Sequence, residues 1–127
     1  MKILLVDDTK TLISVLKVFL MGWDLEFKEA HDGVAALKTA REWVPDLVIS
    51  DVRMPGMDGF ELCASLRADP ALHQVPVVLL TSFGDEISKR KGMLVGATAF
   101  LTKGGSLDEL RTTVRDVLKL PDRKGVR

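Results

Sequence analysis

The chain has 127 residues, the size of one domain with one hydrophobic core. Acidic and basic residues number 18 each, so formal net charge is zero and no global field draws the protein to nucleic acid or an anionic membrane. The single cysteine, Cys63, excludes an internal disulfide and a cysteine metal cluster. The first apolar run, Ile3 to Val6, is too short for a signal peptide, and no run reaches the roughly 20 residues of a membrane helix. We therefore expect a cytoplasmic protein that binds neither nucleic acid nor membrane directly.

Five short apolar or alternating runs predict β-strands. They are Lys2 to Asp7, Leu25 to Ala30, Asp46 to Ser50, Val75 to Leu80 and Ala99 to Thr102. The second run alternates apolar and polar residues, so we expect a half-exposed edge strand. The first, third and fourth runs are nearly continuous in apolar residues, which is typical of buried parallel strands. The fifth run predicts a short strand.

Five helices are predicted between and after these strands. Their apolar positions are Leu12, Leu16, Phe19 and Leu20 in the first, Ala36, Leu37, Ala40, Trp43 and Val44 in the second, Leu62, Cys63 and Leu66 in the third, and Leu107, Leu110, Val114, Val117 and Leu118 in the fifth. Asp58 with Glu61, and Ser106 with Glu109, are predicted helix caps. The fourth helix, Asp85 to Val95, is the weakest prediction, because it is very polar and contains Gly92.

Strict alternation of strands and helices predicts an α/β fold with a parallel sheet and helices on both faces. At this size we expect a flavodoxin-like, doubly wound, five-stranded sheet in the order 2-1-3-4-5 with five helices. The carboxyl edge of that sheet would gather the polar residues that end its strands. They are Asp7, Asp8, Asp51, Thr81 and Lys103.

This set of residues has a coherent chemistry. Three crowded carboxylates repel one another, and Mg²⁺, which prefers oxygen ligands, relieves the repulsion. Asp51 ends the central strand, so it can act as a nucleophile toward a phosphoryl group. Lys103 and the metal can neutralise the transferred oxygens, and Thr81 can hydrogen-bond them. Each residue alone is commonly a cap, a turn residue or a solvated side chain, so the prediction depends on their convergence.

The same residues carry a resemblance to the receiver domain of two-component response regulators. They are Asp7-Asp8, the stretch Asp51-Val52-Arg53-Met54-Pro55-Gly56-Met57-Asp58-Gly59, Thr81-Ser82, Gly96-Ala97, Phe100 and Lys103, at matching spacings. The likeness runs from about Lys2 to Leu120. We therefore expect residues 1–120 to form the receiver domain and 121–127 a linker or disordered tail.

The resemblance implies a phosphoacceptor and a metal site. Asp51 would accept a phosphoryl group from a histidine kinase or a histidine phosphotransfer protein. Asp8, Asp51 and the backbone carbonyl of Arg53 would ligate Mg²⁺ directly, while Asp7 would act through a metal-bound water. The protein would catalyse its own aspartyl phosphorylation and dephosphorylation and would have no metabolic substrate.

The resemblance also implies a switch. Thr81 and Lys103 would bind phosphoryl oxygens, and Phe100 would turn inward when Thr81 moves. Arg53 and Phe83 occupy positions that tune dephosphorylation in the family. The output face would be helix 4, strand 5 and helix 5, which would meet a downstream protein or effector domain, or a second copy in a phosphorylation-dependent dimer.

Two departures from the family pattern stand out. Lys103 is followed by Gly104-Gly105 where proline is usual, so we expect a looser loop without the usual cis peptide. Phe100 also lacks the hydroxyl of the tyrosine that is frequent at its position.

Four alternatives remain open on the sequence. A phosphatase with an aspartyl nucleophile would need a second acid where Arg53 stands. A flavodoxin-like cofactor binder would need a phosphate-cradling loop where Asp7-Asp8 would repel phosphate. The chain could also be part of a larger regulator with a C-terminal effector domain, or a degenerate receiver that works without phosphate.

Overall fold

Five strands alternate with five helices in the computed structural model, which describes residues 1–82, 86–103 and 107–121. The elements are β1 (Lys2–Val6), α1 (Lys10–Phe19), β2 (Glu26–Ala30), α2 (Gly33–Trp43), β3 (Leu47–Asp51), α3 (Gly59–Ala68), β4 (Val77–Thr81), α4 (Glu86–Leu94), β5 (Ala99–Thr102) and α5 (Leu107–Leu118). Predictions that concern the side chains of Leu12 and Leu107, Phe83, Asp85, Gly104 with Gly105, the Ser106 cap and the tail 122–127 lie outside the described residues.

The strands form one parallel sheet in the order β2-β1-β3-β4-β5, which confirms the predicted doubly wound topology. Val6 lies opposite Ser50, and Thr81 lies opposite Thr102. Because all strands run in one direction, their carboxyl ends meet at a single edge of the sheet.

Each buried strand sends alternate side chains to opposite faces of the sheet. Leu4 and Val48 join the cluster that packs against α2 and α3, while Leu5 and Ile49 join the cluster that packs against α1 and α5. The continuous apolar runs of β1, β3 and β4 therefore serve two cores at once. This double burial explains why these strands show no polar alternation.

The strand boundaries differ slightly from those predicted. β4 begins at Val77 rather than Val75, because Pro76 has no N–H for the ladder, although its carbonyl still accepts the Val48 N–H at 2.9 Å. β3 is shifted by one residue and ends at Asp51, and β1 ends at Val6, one residue before the first acid.

The helix starts follow their predicted caps where they are described. Asp58 and Glu61 form a capping box: the Glu61 N–H donates to Asp58 Oδ1 at 2.8 Å, and the Asp58 N–H donates to Glu61 Oε1 at 3.4 Å. Cys63 is buried, as expected. Among the described residues, no helix combines the length and apolarity that crossing a membrane would require.

Candidate functional site

Three charged side chains meet at the carboxyl edge of the sheet. Asp51 ends the central strand and is 6% exposed, while Asp7 follows β1 and is 2% exposed. Lys103, just beyond β5, places its Nζ 3.0 Å from Asp51 Oδ2 and 3.2 Å from Asp7 Oδ2. A single ammonium group therefore bridges two buried carboxylates that come from different strands.

The loop after β3 is packed tightly under Asp51. A Cβ atom on Gly59 would lie 2.4 Å from the Asp51 carbonyl oxygen, so this position requires glycine. The Gly59 N–H donates to the carbonyl of Val52 at 2.8 Å, and the Ser50 hydroxyl donates to the Asp51 carbonyl at 2.8 Å. The start of α3 thus holds the acid's backbone in place.

Asp7 is oriented by the residue that begins the next helix. Its Oδ1 accepts hydrogen bonds from the Thr9 N–H at 2.8 Å and from the Thr9 hydroxyl at 2.7 Å. Its backbone is also held, since its N–H donates to the carbonyl of Ala30 at 3.1 Å and its carbonyl lies 3.0 Å from His31 Nδ1. Neither Thr9 nor His31 was among the site residues predicted from the sequence.

Asp8 completes an acidic cluster at the solvent side of the site. One carboxylate oxygen from each of Asp7, Asp8 and Asp51 lies within 4.8 Å of the others, and Asp8 is exposed. The Arg53 N–H donates to Asp51 Oδ1 at 3.3 Å, so Arg53 follows the acid in the same turn. A set of oxygen donors at this spacing fits a hard divalent cation such as Mg²⁺.

Burial and charge act in opposite directions on Asp51 and Lys103. Burial raises the pKa of Asp51 above its usual value; Lys103 opposes this shift, and the charge of Asp7 adds to it. Burial lowers the pKa of Lys103, but hydrogen bonds and charges from Asp51 and Asp7 outweigh it and raise that pKa overall. The lysine therefore remains cationic at neutral pH and is the main partner of the buried Asp51 carboxylate.

A cleft of about 650 Å³ opens beside these charges. It is lined by Asp8, Val52, Arg53, Met54, Pro55, Asp58, Phe60, Thr81, Ser88 and Lys91. Thr81 is buried at the end of β4, and its carbonyl accepts the Lys103 N–H at 2.7 Å. The cleft therefore lies between α4 on one side and the loops that follow β1 and β3 on the other.

Phe100 is half-buried on β5 and contacts the cleft wall through another ring. Phe60, which lines the cleft, stacks on Phe100 with ring centroids 6.4 Å apart and planes 11° apart. Lys91 Nζ lies 4.8 Å from the centroid of Phe60. A Cβ atom on Gly92 would come within 2.9 Å of the Phe100 ring, so this helix position gives the ring its space.

The predicted site residues thus fall into two groups. Asp7, Asp8, Asp51 and Lys103 come together around the charged centre, and Thr81 lies in the adjoining cleft. Phe100 is set apart, in the aromatic stack described above.

Sequence reasoning missed three residues near the site: Thr9, Ser88 and Lys91. Thr9 follows Asp7 by two residues, which is the spacing of a local side-chain turn and was a usable signal. Ser88 and Lys91 belonged to a polar run without any such signal.

Comparisons with known proteins agree on a family. The sequence profile described as response regulator receiver domain matches residues 3–115. The chain is 40% identical over 102 residues to the response regulator PleD of Caulobacter vibrioides, covering 80% of this chain and 22% of PleD. It is 39% identical over 117 residues to histidine kinase P4 of Formosa agariphila, covering 92% of this chain and 8% of that protein. The chain therefore spans less than a quarter of either relative.

Solved structures agree with the sequence relatives. The chemotaxis response regulator CheY4 of Vibrio cholerae superposes with a TM-score of 0.83 at 34% identity, over 91% of this chain and 97% of that one. This likeness matches both the observed strand order and the family that the motif around Asp51 resembled. The chain belongs to the response regulator receiver domain family of two-component signalling.

Proposed function

We propose that this protein takes a phosphoryl group on Asp51 in an Mg²⁺-dependent step and uses it to switch an output surface. One observation carries the proposal: the buried Asp51 carboxylate lies 3.0 Å from Lys103 Nζ and within 4.8 Å of carboxylate oxygens of Asp7 and Asp8. The donor would be a histidine kinase or a histidine phosphotransfer protein, the partners that the family implies.

The reaction moves a phosphoryl group from a donor to a carboxylate. An oxygen of Asp51 attacks phosphorus, the bond from phosphorus to the donor histidine nitrogen breaks, and the nitrogen keeps the electron pair and takes up a proton. Lys103 exchanges its contact with the free carboxylate for one with the phosphoryl oxygens, and the Thr81 hydroxyl donates to another of them.

The metal site would be built from the residues of the acidic cluster. Asp8, Asp51 and the backbone carbonyl of Arg53 would hold Mg²⁺, with Asp7 acting through a bound water. When bound, Mg²⁺ supplies positive charge that offsets the negative charge of the transferred group. Because Asp51 and Asp7 share one lysine, a second cation also relieves their mutual repulsion.

The output would pass through Phe100 to a surface made of α4, β5 and α5. Thr81 drawn toward the phosphoryl group would leave room for Phe100 to turn inward. The exposed apolar side chains of Ile87 and Leu94 support a protein partner at α4, since they are 81% and 86% exposed. That partner would be a downstream protein, an effector domain or a second copy in a phosphorylation-dependent dimer.

The proposal includes no metabolic reaction. Arg53 stands where a phosphatase with an aspartyl nucleophile would carry its second acid, which argues against that enzyme class. The division into a receiver domain at 1–120 and a linker at 121–127 stays a prediction, as do an attached effector domain and a cytoplasmic location.

The proposal is tested by incubating the protein with Mg²⁺ and acetyl phosphate and measuring the intact mass. We expect a gain of one phosphoryl group that is lost in Asp51→Asn and on chelation of the metal. Asp58→Asn is the matched control, because Asp58 lines the same cleft and asparagine can still cap α3. A wild-type protein that gains no mass, or an Asp51→Asn variant that gains it equally, would contradict the proposal.

A further inference from the structure

Thr9 begins α1 but does not cap it. A threonine at this position usually accepts a hydrogen bond from the first turn of the helix. Here the N-cap side chain makes no such bond. The Thr9 hydroxyl instead donates to Asp7 Oδ1 at 2.7 Å. The Thr9 N–H donates to the same oxygen at 2.8 Å. The hydroxyl therefore serves the site rather than the helix.

The two oxygens of Asp7 consequently have different surroundings. Oδ1 accepts both hydrogen bonds from Thr9, while Oδ2 faces Lys103 Nζ at 3.2 Å. The carboxylate is 2% exposed, so bulk water offers these oxygens little alternative bonding. Oδ2 is the oxygen that contacts the ammonium group of Lys103.

We propose that Thr9 is a positioning residue that keeps Oδ1 of Asp7 from ligating the metal, so that Asp7 acts through a bound water, and that it thereby favours Mg²⁺ over Ca²⁺. The inference rests on the proposed function, because the metal site belongs to that function. Ca²⁺ takes six to eight oxygen ligands and commonly binds carboxylates through both oxygens, whereas Mg²⁺ keeps six ligands, several of them water. An oxygen that already accepts two hydrogen bonds is a poor second ligand for Ca²⁺.

The test measures Mg²⁺ and Ca²⁺ binding separately by isothermal titration calorimetry in the full chain. Thr9→Val removes the hydroxyl and keeps the shape, so we expect the ratio of Ca²⁺ to Mg²⁺ affinity to rise by roughly 3- to 10-fold. Thr9→Ser keeps the hydroxyl and should retain the wild-type ratio. Thr9→Ala repeats the deletion with a smaller side chain, should Thr9→Val fold poorly.

The ratio of the two cation affinities distinguishes an effect of Thr9 on the position of Asp7 from an effect on the stability of the fold. Thr9→Val loses a hydrogen bond to Asp7 but no helix cap, so its fold should stay intact and a changed cation ratio would come from Asp7. An unchanged ratio in both Thr9→Val and Thr9→Ala overturns the proposal, and so does an equal change in Thr9→Ser.

Failure of this inference can be told from failure of the proposed function. A wild-type protein that is not phosphorylated, but whose cation ratio still responds to Thr9, contradicts the proposed function alone. Normal phosphorylation of Asp51 with an unresponsive ratio contradicts the role of Thr9 alone. A wild-type protein that binds neither cation overturns both.

Discussion

Helices α4 and α5 flank the same edge strand, but they are held in different ways. In α5, Leu110, Val114 and Leu118 are buried in the core shared with α1. In α4, all of which is described, Gly92 is the one buried residue, and Met93 is among its exposed apolar side chains. Burial of apolar area thus stabilises α5 far more than α4.

Hydrogen bonds from α3 anchor the segment just after α4. Cys63 Sγ lies 3.4 Å from the carbonyl oxygen of Val95, and Arg67 Nε donates to the carbonyl of Gly96 at 3.0 Å. Ser88 and Lys91 of the same helix line the cleft. An element with few buried contacts can change position at low free-energy cost. The comparison teaches that α4 is the helix of this pair that can shift more easily.

The largest expected effect comes from truncating an apolar side chain in each helix. Leu110→Ala should lower the free energy of unfolding by about 3 kcal/mol, because it leaves a cavity in the core. Leu94→Ala on α4 should change it by no more than about 0.5 kcal/mol, because that side chain is exposed. Urea denaturation of both variants measures the difference. If both variants lost the same free energy of unfolding, α4 and α5 would not differ in how well they are packed.

Removing the Arg67 hydrogen bond that anchors the end of α4 should have the next largest effect on the free energy of unfolding. Arg67 donates to the carbonyls of Gly96, His73 and Val75, so Arg67→Ala should cost about 2 kcal/mol and speed amide hydrogen exchange in α4 more than in α5. Arg41→Ala is the control, since Arg41 makes an exposed ion pair and should cost less than about 1 kcal/mol. If amide hydrogen exchange in Arg67→Ala sped up equally in α4 and α5, the hydrogen bonds of Arg67 would not be what anchors α4.

Removing the buried charge at Asp51 should stabilise the sheet edge that both helices flank. Asp51→Asn should raise the free energy of unfolding by about 1 kcal/mol in metal-free buffer at neutral pH, because burial disfavours the ionised form. The raised pKa means that the folded protein binds this proton more tightly than the unfolded chain does. The penalty therefore grows as pH rises above the usual value of 3.8 and disappears below it.

This prediction is checked by denaturation of both proteins between pH 3 and pH 7. Adding Mg²⁺ should stabilise the wild type and narrow the gap, since Mg²⁺ binds the folded state. Exchange in α4 should remain faster than in α5 in the variant. A stability difference that does not vary with pH would exclude the carboxylate as its cause.

A small net change in stability is expected at Gly92. Gly92→Ala should gain roughly 1 kcal/mol in helix propensity, but the new Cβ would lie 2.9 Å from the Phe100 ring, so the net change should stay within about 1 kcal/mol. The ring should move instead, which ¹⁹F NMR of a fluorinated Phe100 would detect. A resonance unchanged from the wild type would show that Gly92 does not set the position of the ring.

The topology of the sheet could be predicted because local sequence patterns determine the order of strands and helices. Apolar runs alternate with helical periodicity, and parallel strands need helical connections, so the order of elements left few arrangements. Asp51, Thr81 and Lys103 were predictable neighbours for the same reason, since each lies at the end of a different strand. The positions of strand ends were less certain, as Pro76 shows.

The sequence by itself determined the parallel sheet, the helices on both of its faces and the convergence of charges at one edge. Tertiary structure decided which atoms meet there: that one ammonium bridges Asp7 and Asp51, and that Phe60 stacks on Phe100. Periodicity reports which face of an element is buried. Contacts between elements depend on how those faces are aligned to within about an ångström, and no local pattern carries that information.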